Sequence, residues 1–159
     1  MRKIIFACTG NTCRSPMAEA LFNKKVKEST ILNGACMAVS VGFFVDPADK
    51  NVSSNSQKVM KEIYDIDISS HIPTQITKED VDEADLILCM DRFKAEYAIC
   101  KYLPENPEKI VSIKEYVDLS GAVVDPFGGD YDTYKACAEE IEMLIDLLIK
   151  KEEKLKEEE

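Results

Sequence analysis

The chain opens with a short apolar run, Lys3–Cys8 ("KIIFAC"), that stops at the polar turn "TGNT". A continuous apolar stretch of this length, closed by a glycine turn, predicts a strand buried on both faces. The next segment, "SPMAEALFNKKVKES", repeats its apolar positions at helical spacing, with Ala18, Leu21, Phe22 and Val26 on one face. Ser15 is expected at its N-cap and Pro16 at its first helical position. "CMAVSVG" predicts a second strand, and Val52, Ser56, Val59, Met60 and Ile63 a second helical stripe. "ADLILCM" predicts a third buried strand, followed by helix from after Asp91 to about Lys101, and "KIVSI" a fourth strand. Tyr134, Cys137, Ala138, Ile141, Leu144, Ile145 and Leu148 trace a long amphipathic final helix. The stripe ends before "KKEEKLKEEE", so residues 1–150 are expected to form the domain and 151–159 a charged tail that frays in solvent.

Strands alternating with helices predict a single α/β domain: a doubly wound, four-stranded parallel sheet with helices on both faces. In such sheets ligands bind beyond the carboxyl ends of the strands. Cys8 falls at one such end, Ser40 at the second, Met90-Asp91 at the third, and the loop "VVDPFGG" after the fourth. Four segments are therefore expected to meet on one rim.

Charge narrows what could bind there. Lys and Arg total 20 against 30 Asp and Glu, a formal net charge of −10 over 159 residues. That field repels nucleic-acid backbones and anionic lipid, so neither is an expected partner, and no run is apolar enough to span a bilayer. An anionic substrate must then be held by strong local groups. Six cysteines occur without a C-x-x-C pair, beside a lone histidine, His71. This pattern lacks zinc-site spacing, and no metal or organic cofactor is expected. Cysteines without a secretion signal point to a reducing cytoplasm, most of them acting as small buried hydrophobes.

Cys8 differs in its neighbours. The turn Cys8–Arg14, "CTGNTCR", joins a strand end to a helix start, where backbone N–H groups and the helix dipole make a cradle for an anion. Gly10 permits close approach and Asn11 tolerates left-handed backbone. Arg14 offers a planar fork for two oxygens of a tetrahedral anion. A cysteine at the base of such a cradle suits nucleophilic attack on phosphorus, with the same field favouring the sulfur anion. Asp125, stiffened by Pro126, stands ready to supply a proton to the leaving atom.

These residues carry a resemblance. "CTGNTCRSP", "SVG" at Ser40–Gly42, "SSHIPTQIT" around His71, "ADLILCMD" to Asp91, and "DPFGG" are similar, in order, to the low-molecular-weight protein-tyrosine-phosphatase family over almost the whole chain. The resemblance implies Cys8 as nucleophile, Arg14 as phosphate clamp and Asp125 as general acid and base. It implies substrate contacts from Thr9, Gly10, Asn11, Thr12, Cys13 and Phe127. Asn11, Ser15, Ser40 and His71 are implied to form a hydrogen-bond network that holds the loop, and Cys13 to trap Cys8 as a reversible disulfide on oxidation. Thr12 and "DPFGGDYDTYK", with "KEYV", resemble the bacterial protein-arginine phosphatases; tyrosine-specific members usually carry a bulky aliphatic residue in place of Thr12. The implied activity is hydrolysis of phosphoarginine in a phosphorylated protein. Tyrosine-phosphatase activity is the alternative, followed by arsenate reduction using Cys89 and Cys100, or phosphate binding without turnover. "GFFVDPADK" departs from the family pattern, leaving Phe43 or Phe44 as candidates for one pocket wall.

Overall fold

A computed structural model describes residues 1–159. Four parallel strands form one sheet: β1 (Arg2–Cys8), β2 (Cys36–Gly42), β3 (Leu86–Cys89) and β4 (Ile110–Ser112), in the order β2-β1-β3-β4. β1 is central, with Phe6 opposite Ser40 on one side and Leu88 on the other. The alternation expected of a strand sorts its side chains into two layers. Ile4, Phe6 and Cys8 join one core with α1 (Arg14–Glu28), α2 (Ser54–Tyr64) and α6 (Tyr131–Glu157). Ile5 and Ala7 join the other, with Val81 of α3 (Lys78–Glu83) and Ala95 and Ala98 of α4 (Arg92–Tyr102). Helices therefore cover both faces, as the alternating pattern predicts. The chain passes from β1 to β2 on one side and then crosses to β3 on the other, so the sheet's switch point lies at the end of β1, beside Cys8.

Several local expectations change. Helix α1 begins two residues earlier than its hydroxyl suggests: Cys13 is the N-cap, without a side-chain cap, and Ser15 and Pro16 lie inside the helix. The Ser15 hydroxyl is engaged elsewhere, with Cys8 and Asn11. Ser40 lies within β2 rather than after it. In α2 the stripe is buried at Ser56, Val59 and Met60, while Ile63 is exposed. Two short helices escape helical periodicity, α3 and α5 (Ile113–Tyr116). Both carry cap signals: Thr77 and Asp80 form a capping box, and Ser112 accepts from the N–H of Glu115.

The charged end is helical in the structure. Helix α6 continues to Glu157, and Glu152 is only 2% exposed. Its carboxylate accepts from Arg2 Nε at 2.7 Å and from the Tyr116 hydroxyl at 2.7 Å. A charge is tolerated at that depth because it is paired and hydrogen-bonded. Burial beside this carboxylate pushes the Tyr116 hydroxyl up to about 12. The start of β1, α5 and the last turns of α6 are thus tied together at the end of the sheet away from Cys8.

Candidate functional site

At the carboxyl end of the sheet, Cys8 pairs in register with Gly42 of β2. The chain then turns through Thr9–Cys13 into α1. A Cβ on Gly42 would lie 3.0 Å from the carbonyl carbon of Gly10, 3.0 Å from the Thr9 oxygen and 2.7 Å from Val45 Cγ2. Only glycine lets β2 pass this close to the loop. Two hydrogen bonds fix the approach, from Phe43 N–H to the Cys8 carbonyl (3.0 Å) and from Phe44 N–H to the Thr9 carbonyl (2.9 Å).

Asn11 is the internal brace. It is fully buried and its backbone is left-handed (φ 58°), a conformation asparagine accepts more readily than most residues. Its Nδ2 donates to Ser15 Oγ (2.8 Å) and Ser40 Oγ (3.1 Å). Its Oδ1 accepts from the backbone N–H of Thr74 (2.9 Å) and lies 2.9 Å from His71 Nε2. An amide oxygen only accepts, so the network assigns the proton of neutral His71 to Nε2. Burial holds the His71 ring below its ordinary value, against a smaller opposing pull from Glu19. Asn11 thus braces the loop from within and does not itself line the cavity, although its backbone N–H points at the Cys8 sulfur.

The Cys8 sulfur receives the Asn11 N–H at 3.3 Å and sits 2.9 Å from the Ser15 hydroxyl. It lies at the foot of α1, whose first turn contains no acidic residue to offset the dipole. Arg14 is 5% exposed. Its guanidinium donates to the Val123 carbonyl (2.9 Å) and approaches Thr9 Oγ1 (3.5 Å) and Asp125 Oδ2 (3.5 Å). Asp125 accepts the N–H of Phe127 on its other oxygen (3.1 Å), while about half of its side chain remains open to solvent.

Cys8, Thr9, Gly10, Thr12, Cys13, Arg14, Asp49, Asp125 and Phe127 enclose one cavity of about 220 Å³. A nucleophile, a cation and a carboxylate therefore share a pocket of single-phosphate scale. A larger groove, about 610 Å³, opens at the opposite end of the sheet between Arg2, Cys36 and Glu152; there Arg2 is already paired with Glu152 at 2.7 Å, and burial pushes the Cys36 thiol up to about 11, so neither a free cation nor a sulfur anion is on offer. Cys13 has its sulfur 3.5 Å from the hydroxyls of Thr12, Ser53 and Tyr134. Phe43 is buried against Tyr97, and exposed Phe44 also packs on that ring, so neither forms the pocket wall. Asp49 occupies that position. Cys89 is fully buried in β3, where burial raises its thiol well above the ordinary range, and Cys100 is exposed on α4.

Sequence reasoning missed Asp49, the Thr74 N–H and the Val123 carbonyl. The last two are backbone groups, which side-chain identity does not reveal. Asp49 lies in the one loop that departs from the family pattern.

A family model described as low molecular weight phosphotyrosine protein phosphatase matches residues 3–159. A protein-arginine-phosphatase of Bacillus subtilis is 39% identical over 148 residues, covering 92% of this chain and 94% of the relative. The low molecular weight protein-tyrosine-phosphatase PtpB of Staphylococcus haemolyticus is 31% identical over 148 residues, covering 90% and 94%. Among solved structures, a low molecular weight protein tyrosine phosphatase from T. tengcongensis superposes with a TM-score of 0.87 at 43% identity, over 95% of this chain and 99% of that one. A cysteine-to-serine mutant of the YwlE arginine phosphatase, with phosphorylated active site serine, superposes at 0.84 with 37% identity, over 94% of each chain.

Proposed function

The chain belongs to the low molecular weight phosphotyrosine protein phosphatase family and is a cysteine-dependent phosphatase; on that premise we propose that it hydrolyses phosphoarginine in proteins, with Cys8, Arg14 and Asp125 carrying the reaction. The observation that carries this reading is the common cavity of those three residues, bordered by Thr12. The substrate's phosphoryl oxygens would take backbone N–H groups of the Thr9–Cys13 turn and the guanidinium of Arg14. The Cys8 sulfur anion, supported by the Asn11 N–H and the Ser15 hydroxyl, attacks phosphorus opposite the leaving nitrogen. A sulfur–phosphorus bond forms as the phosphorus–nitrogen bond breaks, and protonated Asp125 gives its proton to the departing guanidine nitrogen. In the second half, Asp125 takes a proton from water, the oxygen attacks phosphorus, and inorganic phosphate and the Cys8 anion are released.

Most of the acceleration comes from fixed donors meeting charge on the transferring phosphoryl group. Asp125 contributes about 10²–10⁴-fold as a positioned acid. Thr12 supports the arginine substrate over tyrosine, because a small polar side chain at the mouth leaves room for a thin, hydrogen-bonding guanidinium and gives little wall for a phenol ring. The names of the Bacillus and Geobacillus relatives point the same way. Arsenate reduction is disfavoured, since buried Cys89 does not lie on an open relay segment.

The test is a side-by-side assay on phosphoarginine and phosphotyrosine peptides of otherwise equal sequence. Faster phosphate release from the first is expected; the reverse order assigns the enzyme to tyrosine. Cys8→Ser should abolish turnover while retaining phosphate binding, and full activity in that variant would refute the covalent route. No helix is long and apolar enough to cross a membrane, and the proposed working place is the cytoplasm, on phosphorylated protein. Peroxide would oxidise Cys8 to a sulfenic acid, which condenses with the Cys13 thiol to a disulfide and water. The same recovery under reductant in Cys13→Ser as in the parent would remove Cys13 from that role.

A further inference from the structure

Asp49 is the one acidic side chain of the pocket wall that the reaction above leaves without a task. It lines the same cavity as Cys8, Arg14, Asp125 and Phe127 and is exposed to solvent. Its loop is held in place. The Asp49 N–H donates to the Asp46 carbonyl (2.9 Å), and Asp46 Oδ1 accepts the Ala48 N–H (2.9 Å), closing a turn. Gln75 ties the start of the loop, accepting from Val45 N–H (3.0 Å) and donating to the Phe43 carbonyl (2.7 Å). At the other end the Ser53 N–H donates to the Thr12 carbonyl (3.0 Å), so the loop is joined to the phosphate cradle itself. Asp49 pairs with no basic side chain of the protein, whereas Asp125 has Arg14 at 3.5 Å.

An unpaired carboxylate at the mouth of a pocket built for a phosphate is unfavourable for any purely anionic substrate. The unfavourable field is added to a chain that already carries −10. Phosphotyrosine brings only negative charge, followed by a neutral ring. Phosphoarginine brings the same phosphate followed directly by a guanidinium, whose remaining N–H groups match a carboxylate in charge and planar geometry. We propose that Asp49 is a specificity-determining residue that receives the substrate guanidinium at the pocket mouth and, by the same charge, disfavours substrates with a neutral leaving side. This inference rests on the phosphoarginine reading above and adds the group that recognises the cation. Discrimination of this kind combines an attraction for one substrate with a repulsion for the other.

The experiment measures kcat and KM on matched phosphoarginine and phosphotyrosine peptides for the parent, Asp49→Asn, Asp49→Lys and Asp46→Asn. Asp46 shares the loop but not the cavity wall, and Asn retains its turn-closing oxygen, so that variant controls for the loss of one loop charge. Asp49→Asn should raise KM for phosphoarginine about 2–5-fold, the scale of an exposed charge pair, with kcat held within about twofold. Its KM for phosphotyrosine should stay level or fall, so the ratio of the two kcat/KM values moves away from phosphoarginine. Asp49→Lys should move it further, and raised salt should shrink the difference between parent and Asp49→Asn. Equal changes on both substrates, or the same shift in Asp46→Asn, would overturn the inference. The parent's own preference tests the phosphoarginine reading, while the change in ratio between parent and Asp49→Asn tests Asp49. If the parent favours phosphotyrosine, that reading falls. A ratio unchanged by Asp49→Asn overturns the role of Asp49 whichever substrate the parent prefers.

Discussion

Removing the side chain of Asn11 strikes the brace of the phosphate loop without touching any reacting atom. Asn11→Ala deletes four polar contacts, to Ser15, Ser40, His71 and Thr74, while leaving its backbone N–H toward Cys8. Their values differ with solvent access. Ser15 keeps Cys8 and Val41 as partners, and Thr74 lies at the surface where water can replace the lost acceptor. Ser40, 4% exposed, is left with a buried hydroxyl and no partner, a loss of about 1–3 kcal/mol. The remaining bonds add roughly 1–2 kcal/mol in total. Alanine in the left-handed region adds about 1 kcal/mol that asparagine largely avoids. The expected destabilisation is therefore about 3–6 kcal/mol by urea unfolding, a large part of the ordinary stability of a domain. Asn11→Gly removes the same bonds but relieves the backbone, so it should be about 1 kcal/mol less destabilising. A misplaced cradle should also lower kcat by about 10²-fold or more in either variant. An Asn11→Ala protein within about 1 kcal/mol of the parent would show that the network does not hold the loop.

Thr12→Ile should move the ratio of phosphotyrosine to phosphoarginine kcat/KM upward by about tenfold or more, because it removes a polar group and supplies an apolar wall; an unmoved ratio excludes Thr12 as a selector. The lowered value of His71 means that folding favours its neutral ring. The stability linked to it is full above the ordinary value of 6.5, declines below that as the unfolded chain gains a proton, and levels off once the folded ring protonates. Urea unfolding across that range should show a slope that His71→Gln flattens, and an identical slope in both proteins would assign it to other groups. Gly42→Ala should cost about 1–3 kcal/mol in unfolding experiments and also depress kcat/KM, since its new methyl presses on the backbone of Thr9 and Gly10; loss of stability with unchanged kcat/KM would place the strain at Val45 instead.

The long-period features of this chain were legible because each had enough residues to display its period. Lys3–Cys8 announces a doubly buried strand, and Tyr134–Leu148 marks its inward stripe over several turns. Helices α3 and α5 span six and four residues, too few to establish a stripe, so only their caps signal them. Ser15 has the chemistry of an N-cap, yet its hydroxyl is taken by Cys8 and Asn11, and the helix starts before it. Here tertiary demand overrides local preference. The end of α6 reads as tail because its stripe lapses, but one buried carboxylate at Glu152 finds a partner 150 positions away in Arg2 and another 36 positions away in Tyr116. At the site, Cys8, Arg14 and Asp125 were readable as a chemical set. The loop holding Asp49 was not, because its position depends on bonds from Gln75 and the backbone of Thr12.

The central place of β1 has a consequence for the chain's biogenesis. The strand that ends in Cys8 leaves the ribosome before both of its partners, and its two edges wait for residues 36–42 and 86–89 before either ladder can zip up. The carboxylate at Asp125 emerges later still, and helix α6 after it. A nascent chain stalled between these segments would display a thiol without its acid, and the apolar run before Cys8 would need shelter from neighbours until its partner strands emerge.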